Sequence, residues 1–137
     1  MPLKIKLKPH ERIILGGAVI TNGRNSTEFT IDNKVTLLRS KDIMTEEMAN
    51  SPSKRIYFVL QMMYIDQRRS KEQYDTYLSL VKDLLKAAPS LTDVVMDISE
   101  ALLNDDFYKA MKFAHTLIDR ETALMNRALH PDQESQA

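Results

Sequence analysis

The sequence predicts an α+β protein, in which an N-terminal antiparallel β-meander of four or five short strands precedes a four-helix bundle. Up to residue 44, apolar residues recur at every second position and are interrupted by Gly, Asn and Asp, a pattern typical of short strands joined by turns. From Thr45 onward the apolar residues recur at helical spacing, and helix-capping residues begin successive segments. We therefore expect a basic β-rich region over residues 1–44, a helical bundle over 45–129 and a disordered tail over 130–137, within one compact unit.

The first predicted strand alternates apolar residues with lysines, which lie about 6.6 Å apart on one face of a strand. The apolar face is Leu3, Ile5 and Leu7, and the charged face is Lys4, Lys6 and Lys8. Further strands are expected at Arg12–Leu15, Ala18–Thr21, Thr27–Ile31 and Val35–Arg39, with a turn or bulge at Gly16-Gly17 and turns at Asn22-Gly23 and Asp32-Asn33. Asn22-Gly23 is a strong hairpin signal because both residue types tolerate positive φ.

Four helices are predicted from their caps and apolar stripes. The first, Pro52–Asp66, follows a Ser51 cap and is apolar on nearly every side, so we expect it to lie centrally, between the sheet and other helices, or to form a subunit interface. Ser70 and Gln73 form a capping box for the second helix, which Pro89 ends. The same device is expected at Ser90 and Asp93 for the third helix. Asn104-Asp105 is expected to cap the fourth, where Asp105-Asp106 also acts as a cap that complements the helix dipole.

Length and composition restrict the class of protein. The chain has 137 residues, which suits one domain, and it has no cysteine, which agrees with a reducing compartment. The N-terminus lacks the apolar core of a signal peptide, and no apolar run approaches the roughly 20 residues that span a bilayer. We expect a cytoplasmic protein with no membrane partner.

Chemistry-bearing residues are sparse and scattered. The three histidines lie in different predicted elements, and His115 with Asp119, four residues later, lacks a third metal ligand at a recognisable spacing. Gly16-Gly17 is not followed by the Gly-Lys-Ser of a phosphate loop and does not open a helix. The sequence therefore predicts a protein that is not an enzyme and has no metal site and no cofactor.

The distribution of charge is uneven although the net charge is zero. Residues 1–44 carry eight Lys or Arg against four Asp or Glu, whereas residues 45–137 carry eleven against fifteen. Positioned cations supply most of the affinity of a protein for RNA phosphates. The candidate RNA-binding residues are Lys4, Lys6, Lys8, Arg12, Arg24, Arg39 and Lys41.

Two interpretations of these cations remain open. They could bind phosphates, or the strand lysines could protect a sheet edge from aggregation without any ligand. Phe29 is the only aromatic residue in the region, and its face is expected to be buried, so base readout would depend on backbone groups, Asn22, Asn25 and arginine side chains. In the first helix, the candidate partner or oligomer interface is Tyr57, Phe58, Met62 and Tyr64.

Three stretches resemble the FlbT family in sequence, order and spacing. They are KIKLKPHERIILGGAVITNG from Lys4 to Gly23, SPSKRIYFVLQMMYID from Ser51 to Asp66, and LLNDDFYKAMKFAHTLIDRE from Leu102 to Glu121. The resemblance extends from residue 3 to about residue 129, and the RIYFVLQMMYID segment is its most specific part.

The resemblance implies a regulator of flagellin synthesis in flagellated alphaproteobacteria. Such a protein acts on the 5′ untranslated region of flagellin mRNA, lowers its translation and promotes its decay, although some members look like activators. The resemblance also implies a functional link to the small flagellin-associated protein FlaF. It assigns no RNA contact to a single residue. The alternative is a protein-binding module or chaperone-like partner of flagellin or FlaF, which would act on the mRNA indirectly.

Overall fold

The structure is a computed structural model that describes residues 2–130, and it separates into two compact units that divide between Ile43 and Met44. The predicted fold class is confirmed, since antiparallel strands are followed by four helices. The prediction that both regions form one compact unit stays a prediction. The predicted disordered tail lies, except for His130, outside the described residues.

The N-terminal unit contains two small antiparallel sheets. The strands are β1 (Leu3–Leu7), β2 (Arg12–Leu15), β3 (Ala18–Thr21), β4 (Thr27–Ile31) and β5 (Leu37–Arg39). One sheet pairs β1 with β4, and the other has the order β3-β2-β5. This order differs from that of a simple meander, because β1 pairs with β4 instead of its neighbour in sequence. Lys6 lies opposite Glu28 in the first sheet, and Ile14 lies opposite Leu38 in the second.

The tight hairpin is formed by Gly16-Gly17, not by Asn22-Gly23. Gly16 and Gly17 have φ of 56° and 87°, the two positive values that a type I′ turn requires, and they connect β2 to β3. A Cβ at Gly16 would lie 3.2 Å from Val35 Cγ2, so the turn is also a site of close approach. Asn22-Gly23 lies in the loop that connects β3 to β4, and these two strands do not pair with each other, because β4 pairs with β1 and β3 with β2.

The core of the N-terminal unit joins the two sheets through one apolar cluster. Ile5 and Leu7 of β1 are buried against Ile13 of β2, and the half-buried side chains around them are Leu15, Phe29, Ile31 and Leu37. Alternation along β1 therefore places apolar residues inside and lysines outside, as predicted. Phe29 packs against this core, so the expectation of its burial is confirmed in part.

The second unit is the predicted four-helix bundle. Its helices are α1 (Pro52–Asp66), α2 (Lys71–Ala87), α3 (Thr92–Leu103) and α4 (Phe107–Leu129). α1 packs against α2 and α4, and α3 packs against α4. The expected burial of α1 is confirmed for Ile56, Leu60 and Met63, which are completely buried, whereas its position between the sheet and other helices stays a prediction.

Two of the predicted helix caps are confirmed. The Ser51 hydroxyl accepts from the Lys54 backbone N–H ahead of Pro52. Ser70 and Gln73 form both hydrogen bonds of a capping box.

The predicted cap of α3 is wrong. A 3₁₀ turn at Pro89–Leu91 leads directly into α3, which has no side-chain cap, and Asp93 instead accepts from Arg120. The predicted cap of α4 is confirmed in part: Asp106 accepts from the Lys109 N–H, as the Asp105-Asp106 pair predicts, whereas Asn104 is not the cap and Asp105 has a left-handed φ of 54°.

The α1–α4 contact contains a buried carboxylate. Glu121 is 7% exposed, and its carboxylate accepts from the Ser53 backbone N–H at 3.0 Å and from the Ser53 hydroxyl at 2.5 Å. The acceptor lies at the first turn of α1, where unpaired N–H groups and the helix dipole favour negative charge. Nearby, Gln61 donates to and accepts from the Met44 backbone, which fixes the segment that enters α1.

Replacing Glu121 by Ala is expected to destabilise the protein by about 1–3 kcal/mol, because two buried donors of Ser53 lose their acceptor. The measurement is the free energy of unfolding in urea. The matched control is Asp119→Ala, an exposed carboxylate on the same helix, with an expected change within about 0.5 kcal/mol. Equal effects of both substitutions would contradict the structural role of Glu121.

Candidate nucleic-acid interface

On the exposed face of β1, Lys4 and Lys6 both form ion pairs with the carboxylate of Glu28. Lys4 Nζ lies 3.1 Å from Glu28 Oε1, and Lys6 Nζ lies 3.9 Å from Glu28 Oε2. The strand alternation explains the exposure of the lysines, and the β1–β4 register explains why Glu28 reaches both. Exposed ion pairs of this kind contribute little to stability, so an incoming phosphate can compete for the lysines.

Beside this face lies a groove with a volume of about 510 Å³, which we call the cationic groove. Its lining comprises Lys6, Leu7, Lys8, Glu11, Ser26, Thr27, Glu28 and Arg39. Arg39 is half-buried at the end of β5, and its Nη2 donates to the Lys6 carbonyl at 3.2 Å. Three cations therefore meet two carboxylates, with the hydroxyls of Ser26 and Thr27 beside them.

Glu11 closes one end of the cationic groove. Its Oε1 accepts from the Lys8 backbone N–H at 2.8 Å, and its Oε2 accepts from the Ser40 hydroxyl at 3.1 Å. These bonds, the first more than the second, lower the pKa of Glu11, with the charge of Arg39 adding to the effect. Both oxygens of the Glu11 carboxylate therefore accept hydrogen bonds from groups of the N-terminal unit.

Asn22 holds the loops around the cationic groove together. Its side-chain nitrogen donates to the carbonyls of Lys8 at 2.8 Å and Asn25 at 3.0 Å, and its oxygen accepts from the Thr27 hydroxyl at 2.9 Å. Its backbone N–H donates to the Glu11 carbonyl at 2.9 Å. The expectation that Asn22 reads RNA bases is therefore wrong, because both ends of its amide are occupied within the unit.

The structure brings together four of the seven candidate RNA-binding residues. Lys6, Lys8 and Arg39 line the cationic groove, and Lys4 joins them through Glu28. Arg12, Arg24 and Lys41 are exposed but do not line it. Sequence reasoning missed Ser26, Thr27 and Glu28, because the β1–β4 pairing places them beside the lysines, and it missed Glu11, whose carboxylate accepts from the Lys8 N–H. The alternation along β4 indicates that Glu28 lies on the exposed face, so it would have identified Glu28 once the pairing of β4 with β1 was known.

The four candidate interface residues of α1 differ in exposure. Tyr57 is 1% exposed and its ring packs 4.7 Å from the ring of His115, so its assignment to a partner surface is wrong. Its aromatic bulk fills the α1–α4 contact instead. Met62 is 36% exposed, and Phe58 and Tyr64 are half-buried. These three remain candidates for contact with a partner or a second copy.

Residues 2–130 contain neither a cluster of metal ligands nor a membrane-spanning helix. No three His, Cys, Asp or Glu side chains in this range converge where a metal ion could bind. No helix within the range has the length and apolar character needed to cross a membrane.

Fold and groove together define a small α+β protein with a solvent-exposed, cation-lined surface. Residues 3–125 match the family described as flagellar protein FlbT. No solved structure matches the chain. The chain belongs to the FlbT family, whose members are regulatory proteins and not enzymes.

The relatives span most of the chain. A Rhodopseudomonas palustris (strain TIE-1) protein is 44% identical over 93% of this chain and 100% of its own length, and it is named probable flagellum biosynthesis repressor protein FlbT. A Bradyrhizobium diazoefficiens protein of the same description, FlbT 1, is 43% identical over 98% of this chain and 94% of its own. The flagellum biosynthesis repressor protein FlbT of Caulobacter vibrioides (strain ATCC 19089) is 32% identical over 88% of this chain and 87% of its own.

Replacing Asn22 by Ala is expected to lower the free energy of unfolding by about 1 kcal/mol, because the exposed Lys8 and Asn25 carbonyls lose a donor and the Thr27 hydroxyl keeps only its bond to the Asn25 carbonyl. Urea unfolding measures the change. Asn33→Ala, an exposed asparagine in the loop after β4, is the control and should stay within about 0.5 kcal/mol of the parent protein. If Asn22→Ala loses no more stability than Asn33→Ala, the Asn22 side chain does not hold these loops together.

Glu11→Gln is expected to change how stability depends on pH. Because the folded pKa of Glu11 lies below its ordinary value of 4.5, its ionised form stabilises the fold above that pH, and the contribution is lost as the pH falls through the folded pKa. The stability difference between parent and Glu11→Gln should therefore shrink below about pH 4.5 in urea unfolding. Ser40→Ala, which removes one donor, should reproduce part of the effect. A difference that is constant with pH would contradict the assignment.

Proposed function

We propose that this chain binds the 5′ untranslated region of flagellin mRNA in the cytoplasm, represses its translation and promotes its decay during flagellum biosynthesis. The names of the relatives describe repression of flagellum biosynthesis and so support the regulatory part of the proposal. The observation that carries the RNA-binding part is the convergence of Lys6, Lys8 and Arg39 on one open groove, with Lys4 next to it.

The cationic groove suits a single strand of RNA. Alternate residues of β1 are about 6.6 Å apart, so Lys4 and Lys6 can each meet a different phosphate of an extended strand. The backbone carbonyl that accepts from Arg39 fixes the guanidinium at the rim, and a planar guanidinium suits phosphate or a base edge. Ser26 and Thr27 add hydroxyls for sugar and phosphate oxygens.

Repression in this proposal requires no chemical step. A protein that occupies the leader hinders ribosome loading, and an untranslated message is open to decay. The helical unit then supplies contacts to other molecules, either a second copy of the chain or a protein such as FlaF. Phe58, Met62 and Tyr64 are the residues proposed for that contact.

A second candidate function is a protein-binding module that acts on the mRNA indirectly, as a partner of flagellin or FlaF. It is favoured by the exposed apolar side chains of the helical unit, among which Leu78 is 44% and Met96 63% exposed. The two functions differ in one requirement, because only the first predicts that the purified protein alone retards a flagellin leader transcript.

A salt titration of binding to a labelled flagellin leader transcript tests the first function. With four phosphate contacts, the slope of log K against log salt should be about −3, and each of Lys6→Gln and Lys8→Gln should reduce its magnitude by about 0.7. The matched control, Lys82→Gln, changes an exposed lysine of α2 and should leave the slope unchanged. Unchanged slopes for the Lys6 and Lys8 variants would exclude the cationic groove, and no binding by the parent chain would contradict the function itself.

A further inference from the structure

The helical unit carries a second cationic and aromatic surface, on α4. Tyr108, Lys112 and His115 are all exposed and follow one another at helical positions i, i+4 and i+7, so they lie on one face. We call these three residues the α4 stripe. It spans eight residues, whose seven steps of about 1.5 Å cover about 10.5 Å along the helix axis, or about three steps of 3.4 Å between stacked nucleotides.

The packing of α4 against α1 fixes the direction of the stripe. Ser53 meets Glu121, Tyr57 meets His115 and Tyr64 meets Tyr108, so the two helices run antiparallel. The Tyr64 and Tyr108 ring centroids are 5.9 Å apart at an interplanar angle of 44°. The buried Tyr57 thus packs against the His115 ring, and the half-buried Tyr64 packs against the Tyr108 ring. Both α4 rings are therefore held in place although they remain exposed.

Basic residues predominate on the parts of α1 and α4 that pack together, although the helical region as a whole is acidic and the exposed Asp119 follows His115 by one helical turn. Residues 52–65 of α1 and 107–118 of α4 contain no Asp or Glu, and their charged residues are Lys54, Arg55, Lys109 and Lys112. The Lys112 ammonium lies 5.3 Å from the centre of the Tyr108 ring. The contact of α4 with α3 is more acidic, because three carboxylates, Asp97, Glu100 and Asp106, line a depression there with one cation, Lys109. A polyanion is therefore favoured beside Lys112 over the depression between α3 and α4.

We propose that the α4 stripe is a stacking surface for single-stranded RNA, with bases on Tyr108 and His115 and a phosphate on Lys112. This inference rests on the proposed function and adds a contact within the helical unit. Exposed rings alternating with a cation are the combination by which proteins bind single strands without reading sequence. An arriving base takes the Tyr108 ring face and releases the Lys112 ammonium to the adjoining phosphate.

The test is the affinity of the full-length protein for a fluorescein-labelled oligoadenylate, measured by anisotropy. Tyr108→Leu removes one stacking ring and should weaken binding about tenfold, whereas Tyr108→Phe keeps the ring and should bind like the parent. Lys112→Gln should reduce the magnitude of the salt slope by about 0.7. The control is Lys82→Gln, which changes an exposed lysine of α2 and should leave both the affinity and the salt slope unchanged.

A second measurement avoids any dependence on loss of affinity. The chain contains no tryptophan, so Tyr108→Trp introduces a single fluorescent reporter at the stripe. Its emission should be quenched by oligoadenylate, because a base stacks on the indole, and should not be quenched by an abasic oligomer with the same number of phosphates.

The outcomes separate this inference from the proposed function. If Lys6→Gln weakens binding to oligoadenylate while Tyr108→Leu and Lys112→Gln do not, and the emission of the Tyr108→Trp variant is unaffected, the α4 stripe is excluded and the cationic groove remains. If the parent protein binds neither oligoadenylate nor the leader transcript, both ideas fail. Equal quenching by the abasic oligomer would also overturn stacking, since charge alone would then account for the contact.

Discussion

The hydrogen bonds of the Asn22 amide are the interaction on which the N-terminal unit depends. An amide nitrogen has two hydrogens, and those of Asn22 go to the Lys8 and Asn25 carbonyls, while its oxygen accepts from Thr27. The end of β1, the loop after β3 and the start of β4 therefore meet at one side chain. Because the cationic groove is lined by these same segments, its shape follows from a residue that does not line it.

Glu121 has a comparable position in the helical unit. Its buried carboxylate satisfies two donors of Ser53 at the start of α1, which fixes the register in which α1 and α4 run past each other. That register brings Tyr57 to His115 and Tyr64 to Tyr108. In both units, the hydrogen bonds of one polar side chain, Asn22 or Glu121, position other side chains that are exposed and available for binding.

Local signals in the sequence predicted most of the elements, and pairing over long distances accounts for what they missed. Alternation predicted β1, and Ser51-Pro52 and Ser70 with Gln73 predicted two helix starts, because each depends on neighbouring residues only. The Asn22-Gly23 hairpin was wrong because β4 pairs with β1 and β3 with β2. The Asp93 cap was wrong because Arg120, on another helix, takes that carboxylate with both bonds at 2.9 Å.

The candidate site shows the same division. The lysines of β1 could be identified from the sequence. Glu28 and Thr27 could not, because the β1–β4 register places them in the groove, and Tyr57 is excluded from the interface because it is buried.

The central claim is direct contact between this chain and flagellin leader RNA. Ultraviolet crosslinking of the purified protein to that transcript, followed by peptide mapping, tests this claim most directly. Crosslinked peptides should come from residues 4–12 and from the start of α4. Crosslinks confined to other segments, or none without an added partner protein, would contradict the account.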